Sequence, residues 1–278
     1  MTLVAAALCA AAGAQAQTPE EIERFRKMTI LSVGGAAIVN NEPYVGFNDD
    51  EINATVVPFF AYNKNNLTVA GPNISYRFWR PAGIQLSAET RYRFQNYDEN
   101  DSPFLEGMSS RVGTFEVGLQ AQKRWDRLRL QGRGMVDVGG RHDGYELQAR
   151  ATFEVSDGRA LSLRPAAGVA YQSQNVTNYY YGVRTDEVAQ NLPRGDGSFG
   201  DRDFYFADEA FVPFAGAEFR LRLSRRIQVA GQVRADFLPE EITDSPIVDV
   251  ETRTSAFVGL SYLLSGPGVV ARPGDRQR

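Results

Sequence analysis

The chain has 278 residues, a formal net charge of −4 and a pI near 5.3. That balance is not basic enough for a nucleic-acid partner and not acidic enough for a disordered chain. The single cysteine, Cys9, falls in a segment expected to be removed, which excludes disulfide frameworks, thiol catalysis and Cys-ligated zinc.

The N-terminus reads MTLVAAALCAAAGAQAQ, a small-residue apolar run closed by Ala14-Gln15-Ala16. This pattern predicts a secretory signal peptide over 1–16 with cleavage after Ala16. No Lys or Arg precedes the run, so the start is read as truncated or misassigned. Leu8 before Cys9 fits a lipoprotein box poorly, and no lipidation is expected. Residues 17–28 (QTPEEIERFRKM) form a polar lead-in. Beyond them no apolar run reaches the roughly 18 residues of a membrane helix, so any membrane crossing must use strands.

From Thr29 onward the apolar residues recur with a period of two. Strands are predicted near 29–39, 52–62, 66–79, 83–96, 113–123, 127–138, 143–156, 159–173, 209–223, 226–238 and 252–264. Several are longer than a usual globular strand and suit a tilted membrane crossing. In 83–96, Ile84, Leu86, Ala88, Tyr92 and Phe94 share one face, opposite Gln85, Glu89, Arg91, Arg93 and Gln95. In 143–156, Tyr145, Leu147, Ala149, Ala151, Phe153 and Val155 oppose Glu146, Gln148, Arg150, Thr152 and Glu154. Connections alternate between tight turns (80–83, 124–127, 156–159, 224–226) and longer stretches (97–112, 139–144, 174–208, 239–251). Short periplasmic turns and longer outside loops are the rhythm of outer-membrane barrels.

The segments number eleven, whereas a bacterial single-chain barrel closes with an even number. Twelve strands are therefore expected, with Gly71-Pro72 the place where 66–79 would divide. The last strand, TSAFVGLSYLL, spaces Gly259, Tyr262 and Leu264 like a C-terminal insertion signal, and 265–278 is read as a disordered tail. The expected fold is all-β: an antiparallel transmembrane β-barrel over 29–264. Its apolar stripe (Phe219, Leu221, Leu223) would face lipid. A soluble lipocalin-like barrel has about eight strands, fewer than this pattern requires.

The polar stripe then faces a lumen. The candidate lumen charges are Glu116, Arg129, Arg133, Glu146, Arg150, Glu154, Arg164, Glu218, Arg220, Arg222, Arg234 and Asp236. Full pairing among them would plug the barrel, and a surplus of arginine along one wall would favour anions. A catalytic reading would need His142, the sole histidine, beside Ser109 or Ser110. No G-x-S-x-G surrounds any serine, and a loop histidine between Arg141 and Asp143 reads as a turn residue. Acidic clusters at 48–51, 98–101, 195–203 and 239–249 lack the order of a calcium loop. No enzyme activity, metal or cofactor is expected.

Five stretches, VVPFFAY (56–62), LEGMSSR (105–111), GGRHDGYELQARATF (139–153), YYYGV (179–183) and DSPIV (244–248), resemble the MltA-interacting protein (MipA/OmpV) family in order and spacing. The most specific pair is Tyr179, Tyr180, Tyr181, Gly182 and Val183 followed by Asp244, Ser245 and Pro246. The resemblance covers essentially the whole mature chain. It implies an outer-membrane protein of a Gram-negative bacterium, in contact with lipid and lipopolysaccharide. It further implies a non-enzymatic scaffold, with a periplasmic lytic transglycosylase and a peptidoglycan synthase as partners. The alternative is a narrow porin-like channel for small anionic solutes, with loop 174–208 either folding inward or standing outside as a binding surface.

Overall fold

The computed structural model describes residues 29–47, 53–157 and 160–265. The expected leader, the polar lead-in and the tail beyond Ser265 lie outside the described residues. In chain order the strands are β1 (Ile30–Asn40), β2 (Asn53–Lys64), β3 (Leu67–Ala70), β4 (Asn73–Trp79), β5 (Ile84–Arg93), β6 (Thr114–Trp125), β7 (Leu128–Asp137), β8 (Tyr145–Phe153) and β9 (Ser156–Asp157). Then follow β10 (Leu161–Gln172), β11 (Ala189–Pro193), β12 (Phe199–Arg202), β13 (Ala210–Arg222), β14 (Ile227–Phe237) and β15 (Thr252–Ser265). Two helices interrupt them, α1 (Gln174–Tyr181) and the single turn α2 (Glu240–Thr243).

Each strand from β1 to β7 pairs antiparallel with the next. β8 then pairs with β10, β10 with β13, β13 with β14, β14 with β15, and β15 returns to β1. The ring is closed, with twelve strands in its wall. β9 continues the line of β8 along β10, and β11–β12 form a separate hairpin in the long loop. Closure can be followed at one position: Ala36 on β1 faces Val57 on β2 and Gly259 on β15.

The twelfth strand lies in the 66–79 segment. Gly71 takes a positive φ of 54°, which only a residue free of Cβ crowding adopts readily, and the chain folds back through Gly71-Pro72. β3 keeps only four residues as a result. β2–β3, β4–β5, β6–β7, β8–β10 and β13–β14 are thereby connected by short links at the end of the barrel where β1 begins and β15 ends, and all longer loops gather at the other end.

Exposure along the strands is inverted relative to a soluble protein. On β8, Glu146, Gln148, Arg150 and Thr152 are buried while Tyr145, Leu147 and Phe153 are exposed. On β13, Glu218 and Arg220 are buried while Leu221 is exposed. Such a continuous outward apolar band is a liability in water and is stabilising in lipid. Among the described residues no helix is long and apolar enough to cross a membrane. The main apolar core sits at the loop end, where Tyr44, Tyr97, Phe104, Leu105, Val176, Tyr180, Ile242 and Ile247 pack together from four loops.

Candidate functional site

The lumen is polar because the period-two pattern directs every second side chain inward. On β5, Arg91 and Arg93 point at Glu116 of the neighbouring β6 and reach over β7 to Glu146 of β8. Arg93 Nε lies 2.8 Å from Glu116 Oε1 and its terminal nitrogen 2.8 Å from Glu146 Oε2. Arg91 contacts Glu116 as well and lies 2.9 Å from Glu146 Oε1. His142 joins this cluster from its loop. Its Nδ1 accepts the Gly144 amide at 3.0 Å, so Nε2 carries the proton that faces Glu116 Oε1 at 3.3 Å.

Asp137 organises the loop that carries His142. Its carboxylate accepts the amides of Gly139, Arg141, His142 and Asp143 at 2.7 to 3.0 Å, and the Thr114 hydroxyl at 2.6 Å. Among the described residues no serine hydroxyl hydrogen-bonds to His142. The Ser109 amide goes to Glu187, and the Ser110 hydroxyl goes to Asp98.

A second charge cluster lies nearer the turn end. Buried Glu218 accepts Arg150 and has Arg164 at 3.7 Å, while Arg150 Nε also donates to the Thr152 hydroxyl at 3.2 Å. Arg124 and Glu154 meet at 2.6 Å where the wall ends. Arg129 is half-buried, Arg220 is buried, and Arg222 is exposed at the rim. A third group, Arg234 and Arg253 around Asp236, sits below the loops at 2.5 and 3.1 Å. The Arg234 guanidinium stacks 3.8 Å from the Phe214 ring centroid.

Arginines outnumber carboxylates on the inward positions, and not all of their donors are used. Arg133 gives one bond, 2.7 Å to Gln148 Oε1, and its Nε and other terminal nitrogen have no partner within the protein. Arg164 leaves Nε and a terminal nitrogen without hydrogen bonds. A buried guanidinium left this way in a dry interior costs several kcal/mol, about the penalty of an unpaired buried ion. Water or a soluble anion in the lumen removes that penalty. On the opposite wall several inward positions are apolar instead: Ala36 and Ile38 of β1, Val57 and Phe59 of β2, and Phe257 and Gly259 of β15.

The loops close over this lumen as a cap. Two fully buried arginines hold it. Arg111 donates to the Tyr179 and Ser109 carbonyls (2.8 and 2.5 Å) and to both Glu187 oxygens (2.9 and 3.0 Å). Arg202 donates to the carbonyls of Glu187 (2.8 Å), Glu106 (3.0 Å) and Phe104. Burial works to raise the Glu187 carboxyl, but the Arg184 amide, the Arg111 guanidinium and the Ser109 amide outweigh it and hold it below its ordinary range.

The sequence motif residues lie in this cap. Tyr180, Tyr181 and Val183 are buried, and the Ser245 hydroxyl donates to the Tyr181 carbonyl at 2.5 Å. The two stretches are therefore neighbours in space. Gly182 ends α1 where a Cβ would lie 2.4 Å from the Asn178 carbonyl oxygen, a contact no side chain permits. Asp244 stays exposed and Pro246 half-buried. Tyr179 offers its hydroxyl oxygen to the Val112 amide at 3.1 Å.

Arg91 and Arg93 stand on the polar face read from the sequence, but Arg253, Arg111, Arg202 and Glu187 were not among the expected site residues. Arg253 stands on the inward row of β15, where the period-two pattern could have found it; for Arg111, Arg202 and Glu187, a charge in a polar loop carries no sequence signal that separates burial from solvation. Under the cap, a cavity of about 150 Å³ is lined by Arg91, Arg93, Glu146, Arg234, Asp236 and Arg253. On the cap's outer surface a second, of about 490 Å³, lies among Arg141, Tyr179, Arg184, Phe204 and Phe206.

Residues 33–264 match the family described as MltA-interacting protein MipA. The "Putative outer membrane protein YiaT" of Escherichia coli K12 is 26% identical over 236 residues, covering 84% of this chain and 90% of that protein. The "MltA-interacting protein" of the same strain is 25% identical over 239 residues, covering 84% and 89%. Among solved structures, the NanC porin aligns over 84% of this chain and 98% of its own at 9% identity, with a TM-score of 0.38. The closed barrel and the relatives named as outer-membrane proteins place the protein in the outer membrane of a Gram-negative bacterium. The chain belongs to the MltA-interacting protein MipA family of outer-membrane β-barrels.

Proposed function

We propose that the barrel takes small anionic solutes into its lumen and passes them between the outside and the periplasm. The observation that carries this reading is the arginine surplus, above all Arg133 and Arg164, each of which leaves two guanidinium nitrogens without a hydrogen bond from the protein. Rings of arginine select anions because they offer charge and donors in place of the ion's hydration. A twelve-stranded wall lies between the roughly eight strands that fill with side chains and the sixteen or more that leave a wide channel. The cap over the mouth makes the open state a matter of loop rearrangement. Conductance of the refolded protein in a planar bilayer under a potassium chloride gradient tests the proposal. A reversal potential on the chloride side, lost in the R133A/R164A variant, supports it. A folded protein that conducts without ion preference contradicts it.

A second reading is a non-enzymatic scaffold for cell-wall enzymes, supported by the relative named for its interaction with MltA. It places the contact with a lytic transglycosylase, and through it a peptidoglycan synthase, on the periplasmic side. The turns there, such as Asn65–Asn66 and Asp126–Arg127, offer little of the about 800 Å² per partner of a standard interface. Docking would therefore rely on the lead-in 17–28 and the tail from 265 to 278, whose neighbours in the barrel, Thr29 and Leu264, lie on that side. A transglycosylase still captured after both ends are deleted counts against this version.

A further inference from the structure

The barrel wall is not equally tall all round. β2 pairs with β1 along its whole length, from Asn53 to Asn63, but with β3 only from Ala61 to Lys64. β4 meets β5 only up to Ile74 opposite Thr90, so Arg91–Arg93 pair with β6 alone. Above the short β3–β4 hairpin, the Thr55–Phe60 edge of β2 and the upper end of β5 thus border a notch. Its height along β2 is roughly 20 Å at the usual rise per residue of an antiparallel strand.

Two independent features fit a real edge at this place. Phe60 directs its carbonyl to the β3 side, where it accepts the Gly71 amide at 3.0 Å. Backbone groups alternate sides along a strand, so Pro58 and Val56 direct theirs into the notch. Proline, which has no N–H to offer, is tolerated in a strand at such an edge. Unpaired backbone at membrane depth is tolerated only where it lines a wet cavity or is covered by protein. Among the described residues nothing pairs with this edge.

The surroundings are amphiphilic. The cavity under the cap is lined by Arg91 and Arg93 from the lumen face of β5, and also by Tyr92 and Phe94 from its lipid face. Tyr92 packs edge-on against Phe94 and Phe115 at 4.8 and 5.0 Å. Across the notch, Phe59 packs on Ala61 and Ala70 at its floor.

We propose that this notch is a lateral portal through which single-chain amphiphiles with an anionic head exchange between the lumen and the outer leaflet. The head would lie toward the arginines of the cavity, and the tail would leave between Phe59 and the Tyr92–Phe94 pair. This goes beyond passage along the barrel axis, because it opens the wall itself.

The test uses the full chain in proteoliposomes with Cys9 removed with the leader or replaced. V57C places a thiol on the inward face of β2 beside the notch. A166C places one on the inward face of β10, which is paired on both sides. A maleimide carried on a phospholipid acyl chain should label V57C and leave A166C unlabelled, while a charged water-soluble maleimide labels both through the wet lumen. Dodecanoate should protect V57C, and dodecyltrimethylammonium should not. T55C, on the same inward row, repeats the measurement if V57C does not fold. Absence of lipid-borne labelling at both T55C and V57C overturns the portal. A disulfide-linked dimer of V56C that blocks the labelling also overturns it, by showing a second copy on the edge. Equal protection by the two detergents removes the anionic head from the proposal. Axial conductance is read separately, so the portal and the channel can fail independently.

Discussion

The cap and the lumen wall both bury arginine, and they use it differently. Arg111 and Arg202 spend their donors on backbone carbonyls and on Glu187, so each guanidinium is closed into the fold around it. Arg133 and Arg164 face the lumen with nitrogens left over. A buried arginine with a partner on each guanidinium nitrogen holds a loop in place. One with donors to spare in a hydrated cavity is available to a solute. Under the channel proposed above, this difference would make the cap the gate and the wall the selecting surface.

The largest effect is expected from R111A. Truncating one member of a buried pair typically costs about 3–5 kcal/mol, because the partner charge stays behind unpaired. The cost should fall on the cap alone. Limited proteolysis is expected to cut 173–209 much faster while the barrel keeps its resistance to heat in detergent. Collapse of the whole barrel in R111A would show that cap and wall are one unit.

A smaller effect is expected from pH. Glu187 has its folded value held below the ordinary one, so its contribution is fully present above the unfolded carboxylate range near 4.5. That contribution is lost as pH falls through the depressed folded value. Protease sensitivity of the cap should therefore rise on acidification below about pH 4.5, and E187Q should show the raised sensitivity already at neutral pH. A cap equally resistant at pH 3 and 7 would remove Glu187 from the account.

The mildest case is S245A, which deletes the hydrogen bond to the Tyr181 carbonyl and leaves α1 otherwise packed. The usual net worth of such a bond is about 1 kcal/mol. A modest rise in the rate of cap cleavage is expected, below that of E187Q. A larger one would mean that the YYYGV and DSPIV contact, rather than the arginines, holds the cap.

The wall was readable in the sequence and the cap was not, for physical reasons. Strand residues such as Glu146, Gln148 and Arg150 alternate with Leu147 and Ala149 because the pleat turns successive side chains to opposite faces. Evenness of strand number pointed at Gly71-Pro72, and the positive φ of Gly71 is the turn that divides 66–79 there. The cap has no such period. α1 spans eight residues, QNVTNYYY, rich in residues that favour strands, and packing of Val176, Tyr180 and Tyr181 into the loop core makes it a helix. Arg111, Glu187 and Arg202 come from two loops, with Arg111 and Glu187 meeting across 76 residues. A sequence read locally presents each of them as an ordinary solvated charge. Tyr181 and Ser245 were legible as parts of motifs, but their contact was visible only in the fold.

Ion preference in planar bilayers separates the roles of cap and wall most directly when three proteins are compared: wild type, R111A and R133A/R164A. R111A should lengthen the open state and keep the anion preference. R133A/R164A should gate as wild type does and lose that preference. Loss of preference in R111A, with R133A/R164A unchanged, would contradict the division between a gating cap and a selecting wall.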